Sequence, residues 1–153
     1  MPIHTRPPRM RDFDYSLPRT YFVTICVNGR RPVFRNKTIA TIACSELKRY
    51  RDEGWYWLFA FAVMPDHLHV LVRLRETAKP LGRIVAMLKS AIQYKSRRAG
   101  IDFDWQDYFH DHIVRPSEGL DEFVHYILRN PERAKLVKQG VAYPFAAVVD
   151  PYR

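Results

Sequence analysis

Two histidine triplets carry the sharpest chemistry in the chain, His67-Leu68-His69 and His110-Asp111-His112. On a β-strand the side chains at i and i+2 share a face. Their Cα atoms then lie roughly 6.5 Å apart, so the imidazoles of His67 and His69 can converge on one divalent ion at about 2.0–2.2 Å. Leu68 would point the other way, into an apolar layer with Val70 and Val72. The same spacing also suits a plain pair of half-buried strand histidines. In the second triplet the middle residue, Asp111, is charged and fits a buried strand less well. His110 and His112 are therefore read as hydrogen-bonding support around the site rather than as ligands. Two imidazoles do not complete a coordination shell. Tyr126 and Asn130 are spaced i, i+4 and stack on one side of a helix, at the edge of an apolar arc beside Phe123. Asn130 offers a carbonyl oxygen, and Tyr126 a phenol one turn away. An ordinary helix-edge tyrosine and a helix C-cap before Pro131 fit these two positions as well.

Hydrophobic periodicity gives the elements that must position these groups. Residues 21–27 (YFVTICV) read as a β-branched and aromatic strand, with Asn28-Gly29 as the turn after it. Residues 38–50 carry Ile39, Ile42, Ala43 and Leu47 at helical spacing, and Gly54 follows. Residues 57–63 (WLFAFAV) form a continuous apolar run, read as a buried strand. Residues 67–74 (HLHVLVRL) follow closely enough to pair with it as a hairpin. Leu81, Ile84, Val85, Leu88 and Ile92 mark a second helix, whose other side carries Lys89, Gln93, Arg97 and Arg98. Residues 108–114 read as a fourth strand. A third helix spans about 119–130 and is expected to stop at Pro131.

The order β-α-β-β-α-β-α is the ferredoxin-like split pattern with an added C-terminal helix. It predicts an α+β fold with a four-stranded antiparallel sheet and two helices on one face. The other face awaits the added helix, a partner or a ligand. Residues 1–19 read as a basic, proline-broken arm, 20–137 as the folded domain, and 138–153 as a tail docking back on it.

Composition bounds the setting. The 153 residues contain 25 Lys+Arg and 16 Asp+Glu, a net charge of +9, which favours an anionic partner. Seven arginines and two aspartates fall in the first 35 residues. Arg6, Arg9, Arg11 and Arg19 on the arm, with Lys89, Arg97 and Arg98 on the second helix, are the candidate phosphate contacts. Trp105 is a candidate platform for an unpaired base. No apolar run reaches the roughly 18–20 residues that span a bilayer, and the N-terminus lacks the apolar stretch of a signal peptide. With only two cysteines, a reduced cytoplasmic protein is the expectation, associated with the nucleoid if the anionic partner is DNA.

Read together, the stretches YFVTICVNGRRPVF (21–34), FAVMPDHLHVLVRL (61–74), LKSAIQYKSRR (88–98), WQDYFHDHIVR (105–115) and YILRNPERAKLV (126–137) carry a family resemblance. The chain resembles the REP-associated tyrosine transposases, within the single-tyrosine HUH transposase superfamily, where HUH stands for His–bulky hydrophobic–His. The resemblance implies a metal-dependent nuclease and strand transferase acting on single-stranded DNA beside a hairpin, as monomer or homodimer. It implies His67, His69 and Asn130 as ligands of Mg²⁺ or Mn²⁺, and Tyr126 as the nucleophile that forms a 5′-phosphotyrosine. Two departures fall outside these stretches. Ala146-Ala147 stands where relatives often have serines, and Pro18-Arg19-Thr20 replaces a glycine-rich entry to the first strand. A catalytically idle hairpin-binding protein, and a small metal-binding protein for another anionic ligand, are the competing expectations.

Overall fold

The computed structural model describes residues 19–76 and 79–152. The candidate contacts Arg6, Arg9 and Arg11 lie outside the described residues. Five strands and three helices follow in the order β1 (Thr20–Cys26), α1 (Lys37–Asp52), β2 (Tyr56–Met64), β3 (His67–Leu74), α2 (Leu81–Arg98), β4 (His110–Ile113), α3 (Leu120–Arg133) and β5 (Ala146–Val148). All pairings are antiparallel, in the sheet order β4-β1-β3-β2-β5. The first four strands take the ferredoxin-like arrangement. The sheet has five strands rather than the four expected, because Ala146–Val148 pairs with β2 along Ala60–Ala62. Three residues with two alanines leave too short a pattern to read as a strand before the partner edge is known. Among the described residues no helix is long and apolar enough to cross a membrane.

Alternation divides the side chains between two layers. Tyr21, Val23 and Ile25 of β1, with Leu68, Val70 and Val72 of β3, enter the larger core with α1 and α2. Phe22 of β1 and Leu71 of β3 enter a smaller core with Phe123, Val124 and Ile127 of α3. The continuous apolar run of β2 is explained by a bulge between Leu58 and Ala60. Before it, Tyr56 and Leu58 face α1 and α2; after it, Phe61 and Val63 do. The extra residue switches the alternation from even to odd positions. Ala60 and Ala62 then fall on the α3 side, where small side chains allow close packing.

Helix α3 does not stop at Pro131 but runs to Arg133. Proline removes one N–H donor from the ladder. The extra turn is closed by a Schellman arrangement: Leu136 N donates to Pro131 O and Lys135 N to Glu132 O, both at 2.9 Å, with Lys135 at φ 59°. These bonds occupy the last carbonyls of the helix. The fourth strand is shorter than predicted, four residues rather than seven.

Candidate metal and nucleophile site

His67 and His69 lie on the α3 side of β3, opposite Cys26 and Thr24 of β1 respectively. Leu68 between them is fully buried in the larger core, as the i, i+2 spacing predicts. The two Nε2 atoms stand 3.1 Å apart. Two ligands held about 2.1 Å from one ion at right angles would be separated by about 3.0 Å. Each ring is held from its other nitrogen. His67 Nδ1 donates to Asp66 Oδ1 at 2.7 Å, and His69 Nδ1 lies 3.0 Å from Thr24 Oγ1. The tautomer with a proton on Nδ1 leaves the Nε2 lone pair free, which is the form that binds a metal. Asp66 is itself held: Arg30 Nε donates to Asp66 Oδ2 at 2.9 Å. Arg30 reaches it from a left-handed backbone, with Gly29 at φ 67° and Arg30 at φ 54°. That conformation is free for glycine and uncommon for arginine.

Electrostatics keep both rings neutral. Burial pushes His69 down to about 3, helped by the positive charges of Arg133 and Arg30. Burial lowers His67 too, opposed by the hydrogen bond and charge of Asp66. In Asp66, hydrogen bonds from Arg30 and His67 overcome the opposing effect of burial and hold the carboxyl below its ordinary range. Two neutral imidazoles with lone pairs facing each other repel unless a cation sits between them. The donor set therefore fits a divalent ion, with an aspartate–histidine pair behind one ligand.

Tyr126 stands above this pair on α3. Its ring lies 5.7 Å from that of His69 and 5.8 Å from Phe22, and Phe22 also touches His69 at 5.4 Å. Phe22 thus wedges both rings in place. The Arg133 guanidinium covers the Tyr126 ring at 4.4 Å, and its Nη2 donates to the Tyr126 carbonyl at 2.9 Å. Arg133 follows Tyr126 by seven residues, two turns along the same helix face. It reaches the ring only because the helix continues past Pro131. Asn130 is half-buried, one turn beyond Tyr126 on the same side of α3.

The remaining candidates fall elsewhere. His110 lies in the same cross-strand row as Thr24 and His69, one strand further out, with its ring 5.8 Å from Tyr108. His112 is bonded to Glu118 at 3.0 Å and stacked on Phe123 at 5.5 Å. It ties β4 to the start of α3 and makes no hydrogen bond to the histidine pair. The hydrogen bonds on the Nδ1 atoms of His67 and His69 involve Asp66 and Thr24. The MPDH turn places Asp66 directly before His67, so that signal is available in the sequence.

Lys89, Arg97, Arg98 and Trp105 belong to α2 and the segment after it, across the sheet from α3. Lys89 Nζ donates to Gln106 O at 2.6 Å, and Arg97 pairs with Asp102 at 3.1 Å. Arg98 donates to the Tyr94 hydroxyl at 3.3 Å. Trp105 is only 8% exposed. Its indole N–H donates to Lys89 O, and its ring packs against Phe34 and Phe103. A base cannot stack on a ring covered this way. Tyr108, 49% exposed, is the accessible aromatic there, on the rim of a cavity of about 700 Å³ shared with Lys89 and Gln93. Arg19 sits at the opposite end of the sheet.

Several known proteins resemble this chain. A REP-associated tyrosine transposase of Escherichia coli K12 is 25% identical over 127 residues, covering 83% of this chain and 74% of its own. A Haemophilus influenzae protein of unassigned function is 23% identical, covering 84% of this chain and 88% of its own. A solved REP-associated tyrosine transposase bound to a REP hairpin superposes with a TM-score of 0.71 at 24% identity. It matches over 92% of this chain and 82% of that one. The profile of the family described as Transposase IS200 like matches residues 18–130, a span that begins just before β1 and includes His67, His69, Tyr126 and Asn130. The chain belongs to the IS200-like transposase family.

Proposed function

We propose that the protein is a metal-dependent endonuclease and strand transferase that cuts single-stranded DNA beside a hairpin through a covalent link to Tyr126. The observation that carries this reading is the pair of Nε2 atoms 3.1 Å apart with a tyrosine ring 5.7 Å from one of them. DNA is the natural partner for a family of transposases and for a chain of net charge +9. A REP hairpin is what the similar solved transposase holds.

His67 and His69 would hold Mg²⁺ or Mn²⁺, and Asn130 has the oxygen to join them. When bound, such an ion polarises a non-bridging oxygen of the scissile phosphate. The protein's own residues supply the rest. Phe22 and the Arg133 guanidinium fix the Tyr126 ring from two sides, which favours an in-line approach. Arg133 also places a positive charge beside the phenol, where negative charge develops during attack. The Tyr126 oxygen then bonds to phosphorus and the bond to the 3′ oxygen breaks. The phenolic proton passes to solvent, and the 3′ oxygen leaves as a hydroxyl. One phosphodiester is exchanged for another, so the step runs in reverse onto a new 3′ end.

The test is adduct formation on single-stranded oligonucleotides that carry a hairpin, in Mn²⁺, read on a denaturing gel. The wild-type protein is expected to give a protein–DNA adduct and Tyr126→Phe none. Adduct from Tyr126→Phe would remove the nucleophile from this scheme. Tight binding with no adduct under any metal would instead identify an idle hairpin binder.

A further inference from the structure

At the far end of the same sheet face lies a second cleft, of about 340 Å³, lined by Arg19, Thr20, Arg73, Val114, Arg115 and the start of α3. It joins the first residues of β1, the last of β3 and the loop after β4. Arg73 and Thr20 are cross-strand partners. Arg73 is four residues beyond His69 on β3, so it falls on the same face, roughly 13 Å along the strand. Arg19, Arg73 and Arg115 are all exposed. Among the described residues, neither Arg73 nor Arg115 forms a salt bridge.

The acidic groups nearby are already engaged. Glu118, the one carboxylate lining the cleft, takes hydrogen bonds from His112 at 3.0 Å and from the Arg115 backbone N–H at 2.9 Å. Asp121, in the first turn of α3, lies near Tyr152 and adds to burial in raising its pKa. Four other arginines are paired with carboxylates: Arg30 with Asp66, Arg49 with Glu46, Arg51 with Asp150 and Arg97 with Asp102. Arg73 and Arg115, which form no salt bridge among the described residues, thus share one concavity with Arg19, and its single carboxylate is already engaged. These guanidiniums suit a phosphate, whose oxygens accept the guanidinium fork.

We propose that the Arg19–Arg73–Arg115 cleft binds a backbone phosphate of the DNA strand, at a point separate from the phosphate that meets Tyr126. The proposal rests on the reading of DNA as partner and adds a position to it. Helix α3 spans the interval, with the cleft at its first residue and Tyr126 six residues on, about 9 Å along its axis. A strand gripped at the cleft is held at a fixed distance from the nucleophile. The cleft therefore sets register, and carries no base readout of its own.

The experiment measures binding alone. The full chain carrying Tyr126→Phe, in EDTA, is titrated with a labelled single-stranded oligonucleotide bearing a hairpin, across a series of salt concentrations. Arg73→Gln and Arg115→Gln are each expected to weaken binding roughly tenfold. Each should also flatten the dependence of log K on log salt by roughly one unit. Arg83→Gln, an exposed arginine on α2, should change little. A scan of neutral methylphosphonate linkages is expected to find one position that weakens the parent protein but not the double variant Arg73→Gln/Arg115→Gln. Slopes and affinities equal to those of Arg83→Gln, or no linkage with that behaviour, overturn the proposal. Because neither metal nor cleavage enters, a wild-type protein that binds normally yet forms no adduct refutes the nuclease reading and leaves the cleft standing.

Discussion

The two faces of the sheet are built to opposite specifications. Under α1 and α2 several buried polar groups are bonded within the protein itself. Tyr56 Oη donates to Leu47 O at 2.6 Å, and Glu46, 2% exposed, takes hydrogen bonds from Arg49 and Lys95. Two helices seal that side. On the other face one helix lies across five strands, and the strand ends on either side of it stay open. There β3 carries His67 and His69 at one end and Arg73 at the other. The face with the smaller core thus holds the two imidazoles with their Nε2 atoms 3.1 Å apart and Arg73, which forms no salt bridge among the described residues. The larger core lies on one side of the sheet and the candidate site on the other.

Substitutions on the two faces should therefore separate activity from stability. The largest effect is expected from His69→Ala. It should abolish adduct formation and Mn²⁺ binding by calorimetry, while thermal unfolding in EDTA shifts only modestly. Loss of the fold instead of the metal would mean that His69 is a core residue. Leu47→Ala, at a fully buried position under α1, should do the reverse. It should cost about 2–5 kcal/mol of stability by denaturant unfolding and leave adduct formation by the folded fraction unchanged. Next comes Asp66→Asn, which removes the carboxylate behind His67. It should weaken Mn²⁺ binding roughly 10–100-fold, with little change in unfolding.

The smallest effect concerns Asp150, buried beside β2. It accepts from Arg51 Nε at 3.1 Å and from the Leu58 backbone N–H at 2.8 Å. The Arg51 hydrogen bond holds its carboxyl below the usual range, against the opposing effect of burial. Its folded pKa is thus below its unfolded value of about 3.9. The stabilisation is present above that pH and is lost as pH falls through the folded value. Asp150→Ala should destabilise by about 1–3 kcal/mol near neutrality, and the gap from wild type should close in acid. A gap independent of pH would show that packing, not charge, holds the C-terminal segment.

Much of this contrast was legible in the residues. Alternation along HLHVLVRL placed the histidines and Leu68 on opposite faces, and the i, i+4 spacing put Tyr126 and Asn130 together. What escaped reading depended on tertiary contacts. Pro131 reads as a helix stop because it removes a donor, yet the Schellman closure carries the helix one turn further. That hid Arg133, which reaches Tyr126 only from inside the helix. His110 and His112 have the same spacing as the first pair. Their separation from it follows from strand order, with β1 and Thr24 standing between. Trp105 had the right chemistry for stacking, but its burial depends on Phe34 and Phe103, distant in sequence or invisible to periodicity. Arg73 and Arg115 lie 42 residues apart in the chain and meet only where β3 and the end of β4 flank the start of β1.

The central claim is that Tyr126 forms the covalent link to DNA. The most direct measurement is to trap the adduct in Mn²⁺, digest protein and DNA, and locate the modified peptide by mass spectrometry. The account predicts a single nucleotide 5′-phosphate attached to Tyr126, within the peptide from α3. A modified Tyr108, Tyr143 or any other side chain would contradict it.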